Sequence, residues 1–229
     1  MFPASGQYNL NKNIKMDMNK NLTSLLVAGA LAAAQAALAN STPIADGQTV
    51  NPLGNTTVSG GTLLGNETTT LVKTSTGTKF PAGTIHSWVY SGDANNTLGG
   101  LTFVYQLNIA SGSSTFADSF ADSGDFEGFL TSVGIDSASG SVTPASANRD
   151  TGIITWVFSP THVTAGTSSV LLIVQTDAKK FQNDAFNVHD GGTSSSDAYV
   201  PLAVPDGGLT VALLGGGLMA LAGLRRKLS

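Results

Sequence analysis

The chain has 229 residues, no cysteine and a net charge of −4 at neutral pH, with only 11% charged residues. With no thiols there is neither a disulfide framework nor a thiolate metal site, so a folded part must be held by its core. The charge is unevenly placed: residues 40–204 hold five basic against thirteen acidic residues, a net −8, which makes nucleic acid and anionic lipid poor partners for that part.

The N-terminus reads as a targeting segment. Asn19-Lys20 opens a basic stretch, residues 22–34 are rich in Leu and Ala, and Ala37-Leu38-Ala39 fits the small-x-small pattern cut by signal peptidase. Residues 1–39 are therefore predicted to be a helical signal peptide, with Asn40 as the first exported residue. Met16 and Met18 stand where a more usual signal peptide starts, so residues 1–15 read as an upstream extension.

Residues 40–67 are rich in Thr, Gly and Asn and short of large apolar side chains; they read as an extended arm or an edge strand. Residues 68–203 read as one all-β domain, an antiparallel β-sandwich. Short apolar or β-branched runs occur at 69–74, 84–90, 101–109, 153–158 and 170–176, with lesser candidates at 114–120, 129–135 and 199–204. Turn signals such as Ser91-Gly92-Asp93, Ala110-Ser111-Gly112, Ser139-Gly140 and Ala165-Gly166-Thr167 separate them. In 101–109, Leu101, Phe103, Tyr105, Leu107 and Ile109 alternate onto one face. The unbroken apolar run 170–174 predicts a central strand covered on both faces. One helical turn is expected over 126–130.

Few residues of this domain suggest chemistry. Asp118, Asp122, Asp125 and Glu127 lie close to Gly124 and Gly128, but without the spacing of an EF-hand loop; a solvated acidic loop over 118–127 is the stronger reading than a calcium site. Asp93, Asn95 and Asn96 read as a surface turn. His86, His162 and His189 show no zinc spacing, and no Gly-x-Ser-x-Gly elbow marks a nucleophilic serine. No catalytic, metal or cofactor residues are predicted. Trp88, Tyr90, Tyr105 and Trp156 would stack on sugar rings if exposed, but their apolar neighbours predict core packing. Arg149-Asp150 reads as a turn pair.

The C-terminus has three parts: Val204-Pro205-Asp206-Gly207-Gly208, the uncharged run 209–224, and Arg225-Arg226-Lys227. As a helix the run spans about 24 Å against a hydrocarbon core of about 30 Å, so it predicts a marginal single transmembrane helix. The basic cluster is a stop that stays on the cytoplasmic side. An exported N-terminus and a cytoplasmic C-terminus place residues 40–204 outside the inner membrane.

These three parts together resemble the VPDSG-CTERM sorting signal of the PEP-CTERM class, which exosortases recognise; Gly207 stands where the usual Asp-Ser-Gly has serine. Gly100-Leu101-Thr102-Phe103-Val104-Tyr105-Gln106, Asn148-Arg149-Asp150-Thr151-Gly152, Leu171 to Ala178 with its Val174-Gln175-Thr176-Asp177-Ala178, and Val188-His189-Asp190-Gly191-Gly192 resemble phrases recurrent in PEP-CTERM ectodomains. The resemblance implies an exported protein of a biofilm- or exopolysaccharide-producing bacterium, handled by an exosortase, held briefly at the inner membrane and then delivered to the cell surface or beyond. It implies no activity. The expected function is a non-enzymatic structural or adhesive surface protein with polysaccharide as its possible partner. The rivals are a secreted carbohydrate-binding module, which an exposed row of Trp88, Tyr90 or Trp156 would favour, and a polysaccharide hydrolase, which converging acids in a cleft would favour.

Overall fold

The computed structural model describes residues 41–52, 54–74, 80–190 and 192–203. Thirteen strands run along these residues: β1 (Thr42–Pro43), β2 (Gln48–Val50), β3 (Thr62–Thr70), β4 (Val72–Lys73), β5 (Gly83–Ser91), β6 (Leu101–Ile109), β7 (Ser119–Ala121), β8 (Thr131–Asp136), β9 (Ser146–Asp150), β10 (Ile153–Val157), β11 (Leu171–Thr176), β12 (Phe181–His189) and β13 (Thr193–Pro201). They form two antiparallel sheets packed as a sandwich. The first sheet has the order β1-β8-β11-β6-β5-β3 and the second β2-β9-β10-β7-β12-β13-β4.

The alternation of residues explains the layers. In β6, Leu101, Phe103, Tyr105, Leu107 and Ile109 are buried against the second sheet, while Thr102, Val104, Gln106 and Asn108 take the other face. The apolar β11 lies between β8 and β6, with Leu172 and Val174 in the core and Ile173 on the outer face, 1% exposed. That outer burial is why the strand carries no polar alternation. Between the sheets, Tyr105, Phe120 and Phe186 form an aromatic cluster with ring centroids 4.8, 4.9 and 6.0 Å apart. Tyr105 also donates its hydroxyl to Tyr199 O at 2.6 Å, a polar tie from the first sheet to the second.

The segment 41–67, expected as an arm or an edge strand, supplies β1 and β2, which edge one sheet each, and most of the edge strand β3. Beside β3 the two sheets also meet through side chains. Thr69 Oγ1 donates to Asp197 O at 2.6 Å, and Ser196 Oγ donates to Thr70 O at 2.9 Å. The single helical turn expected over 126–130 is instead a hydrogen-bonded turn, with Glu127 N bonding Gly124 O. Its glycines Gly124 and Gly128 have positive φ, which a helix does not accommodate. The signal peptide and the transmembrane helix expected at the two ends lie outside the described residues. Among the described residues, no helix is long and apolar enough to cross a membrane.

Residues 54–59 form a strap across the outer face of the first sheet. Thr56 N donates to Ile135 O at 2.9 Å, and the buried Thr56 side chain sits directly over Gly134 of β8. A Cβ at Gly134 would overlap the Thr56 hydroxyl. Replacing Gly134 by valine is therefore expected to lift the strap and lower the unfolding free energy by about 1–3 kcal/mol, as overpacking does. Urea denaturation measures this, and an unchanged midpoint would show that the strap is not seated on that glycine.

Candidate functional site

Strand periodicity places three rings in a row on the outer face of β5. Ile85, Ser87 and Val89 point into the sandwich and are fully buried, so His86, Trp88 and Tyr90 must point out. All three are half-buried. The His86 ring stacks on Trp88 with centroids 3.7 Å apart and a tilt of 31°, and its Nε2 lies 2.7 Å from Asn66 Oδ1 on the neighbouring β3. Burial lowers the pKa of His86, which favours the neutral ring in this stack. Trp88 is thereby held from two sides, by a ring below and by a sheet that cannot rotate.

The register carries this row across the sheet. Trp88 pairs with Val104, Val104 with Ile173, and Ile173 with Gly134, over which Thr56 lies. The result is a groove of about 370 Å³ with Val104, Leu171 and Ile173 in its floor, Trp88 and Tyr90 along one side and Thr57 and Val58 of the strap along the other. Gln106, Asp136 and Ser139 add polar groups to the lining. Beyond Tyr90 the face is closed by a polar network. Asp93 accepts from Ser59 N (2.9 Å) and Asn95 N (3.0 Å) with one oxygen, and from Thr102 Oγ1 (2.8 Å) and Gln175 Nε2 (3.4 Å) with the other. Gln175 Oε1 accepts from Ser41 Oγ at 2.7 Å, and Ser132 Oγ donates to Ser41 Oγ at the same distance. Asn95 Nδ2 donates to Thr57 O at 2.7 Å. The strap is thus tied at both of its ends.

The expectation of core packing holds for Tyr105 and Trp156, which are 0% and 1% exposed, and fails for Trp88 and Tyr90. The apolar neighbour Val89 that suggested burial lies on the opposite face of the same strand, so its burial implies exposure for the residues on either side. Asp93 and Asn96, read as a surface turn, are instead buried. Asn96 Nδ2 donates to Leu101 O and Thr176 O, both at 3.1 Å. Arg149, read as half of a turn pair, is a buried strut. Its guanidinium donates to Ile44 O (3.2 Å) and Phe126 O (2.7 Å) and pairs with Asp46 at 2.9 Å, fastening the start of the domain.

Three of the four acids of 118–127 have different partners. Asp118 pairs with His162 at 2.5 Å, and that imidazole packs on Phe116. Asp122 is buried and accepts from Gly124 N (2.6 Å) and Ile154 N (2.7 Å). Asp125 accepts from Ser123 Oγ at 2.8 Å. Among the described residues no three His, Asp or Glu side chains group as metal ligands. The third histidine, His189, lies by Thr193 in the β12–β13 hairpin.

Residues 203–228 match the VPDSG-CTERM motif, an exosortase-type sorting signal. The signal implies an exported, exosortase-sorted protein directed to the cell surface. No curated protein and no solved structure matches the chain. The residues that carry the signal (Val204, Pro205, Asp206, Gly207, Gly208, the run 209–224 and Arg225, Arg226 and Lys227) and the cleavage residues Ala37, Ala39 and Asn40 lie outside the described residues. The described chain runs to Ala203, just past the end of β13.

Burial pushes the Asp122 carboxyl up to about 7, against the pull of its two backbone N–H donors, and Asp125 adds to the rise. A folded-state value above that of the unfolded chain, about 3.9, means that the folded protein holds the proton more tightly. The stability that Asp122 contributes is then fully present below about pH 4, is lost as pH rises to about 7, and changes no further above it; the full change is on the order of a few kcal/mol. Asp122→Asn should remove most of that slope. Denaturation midpoints of both proteins from pH 4 to 7 test it, and an equal slope in the variant would assign the dependence to other groups.

Proposed function

We propose that this chain is a non-enzymatic surface or matrix protein with a structural or adhesive role, delivered through exosortase processing of its tail and linked to exopolysaccharide or biofilm. The observation that carries the reading is the sorting motif at residues 203–228, placed directly after a folded all-β domain. The chemistry of the tail supports it. Pro205 restricts Val204 to extended conformations and lacks an N–H, which suits presentation in a protease groove. A run of about 24 Å suits a transient anchor better than a permanent one. The basic residues Arg225, Arg226 and Lys227 keep the extreme C-terminus inside, so the motif emerges at the outer membrane–water boundary of the inner membrane, where an exosortase meets it. Signal peptidase, acting after Ala39, is the partner at the other end.

The domain itself supports a binding role more than a purely space-filling one. A preformed groove edged by Trp88 and Tyr90 is the feature that favours the carbohydrate-binding reading.

Replacing Pro205-Asp206 by Ala-Ala should leave the chain at full length in the membrane fraction and lower its surface fraction several-fold. Cell fractionation with immunoblotting measures both. A variant that reaches the surface in the same amount and size as the wild type would show that the motif is not read.

A further inference from the structure

We infer that the groove between the β5 aromatic row and the 54–59 strap binds a short segment of a neutral polysaccharide, deepening the surface-protein reading by giving that protein a ligand and a place to hold it. Three features select this ligand. The first is the pair of rings. Trp88 and Tyr90 lie two positions apart on one strand, so their backbones are about 6–7 Å apart. Successive sugar rings of one chain can each lay an apolar C–H face against one of them. His86 stacking on Trp88 and the rigid sheet beneath set the indole before any ligand arrives, which limits the entropy lost on binding.

The second feature is the mixture of polar groups around an apolar floor. Gln106 donates Nε2 to Ser169 O at 3.1 Å and keeps its Oε1 for a ligand. Asp136 spends one oxygen on Ala138 N at 2.8 Å and keeps the other. Ser139 and Tyr90 add hydroxyls, and Thr57 lies on the strap side. Sugar hydroxyls both donate and accept, so one ligand type answers this mixed set. A volume of about 370 Å³ falls near the lower end of ligand pockets, which suits a short stretch of a longer chain.

The third feature is charge. Among the described residues, no lysine or arginine lines the groove and Asp136 is its one charged side chain; residues 40–204 carry a net −8. A polyanionic chain would be repelled. A quaternary ammonium group would use the rings and Asp136, but it would leave the hydroxyl and amide groups of the lining without partners. Uncharged sugars fit all the groups.

The test is affinity electrophoresis of the full chain in a non-ionic detergent. Gels contain hydroxyethylcellulose, laminarin, dextran or galactomannan as neutral polymers, alginate as a polyanion, and chitosan as a polycation. At least one neutral polymer should retard the wild type. Trp88→Ala and Tyr90→Ala should each weaken that retardation about ten-fold, in line with the loss of an aromatic contact. A Trp156 variant is a poor control because the ring is core. A second measurement therefore uses the wild type, whose tryptophans are Trp88 at the groove and Trp156 in the core. The retarding polymer should protect the emission from acrylamide quenching. Absence of retardation by all four neutral polymers, retardation by alginate or chitosan alone, or equal retardation of both alanine variants would overturn the inference. Surface fractionation of the same proteins reads sorting separately. Intact sorting with no glycan binding removes the groove's role alone, whereas glycan binding with failed sorting removes the delivery route alone.

Discussion

The structure depends on the contact of Tyr105 with Phe120 and Phe186 between the two sheets. In a chain without cysteine, no disulfide can cross-link one sheet to the other, so the sandwich rests on apolar burial and on the few polar ties that cross it. Tyr105 supplies both kinds. Its ring is fully buried among aromatics, and its hydroxyl reaches Tyr199 O on the opposite sheet. A buried phenol without a partner would destabilise the core by roughly 1–3 kcal/mol. The hydrogen bond avoids that penalty and fixes β6 relative to β13.

Fixing β6 fixes β5, and fixing the inward residues of β5 fixes the outward ones. Pairing runs without a slip from Gly83↔Ile109 to Ser91↔Leu101. A one-residue shift would bury Trp88 and expose Val89, so the register that fills the core is the same one that presents the ring row. The outer face then needs cover of its own, since Val104 and Ile173 are nearly as buried as the core. The strap over β8 flanks it on one side and the rings of β5 on the other. The strap is held by backbone pairing at Ile135, by close approach to Gly134 and by the Asp93 carboxylate. These contacts leave a groove rather than a sealed layer, because the strap passes over β8 while the rings rise from β5, with β6 and β11 between them.

Much of this was legible in the residues. Run 101–109 and β6 coincide, β10 and β11 lie within runs 153–158 and 170–176, and the central place of β11 followed from its unbroken apolar composition. What was not legible has physical causes. β12 was missed because Gln182, Asn183, Asp184 and Asn187 give it a polar look, and its apolar positions Phe186 and Val188 are few. The run 69–74 joined the end of β3 to β4, which pair with different partners in different sheets, β3 with β5 and β4 with β13. For the site, the aromatic row is present in the alternation Ile85-His86-Ser87-Trp88-Val89-Tyr90, and because adjacent strand residues face opposite ways, the apolar Val89 says nothing for burial of Trp88. The strap could not be read at all, since Gly134 and Thr56 are 78 positions apart and nothing local pairs them. The acidic stretch 118–127 shows the converse: closeness in sequence did not become a shared site, because Asp118, Asp122 and Asp125 each meet a different partner.

We propose one account of a sandwich with an outer groove and a tail that carries an exosortase-type sorting signal: the domain works outside the cell, freed of both targeting ends. The measurement that tests this most directly is the intact mass of the protein recovered from the cell surface. The account predicts a species that begins at Asn40 and lacks the apolar run 209–224 and Arg225, Arg226 and Lys227. A surface species whose mass includes the complete tail through Ser229 would contradict it and make the tail a permanent anchor.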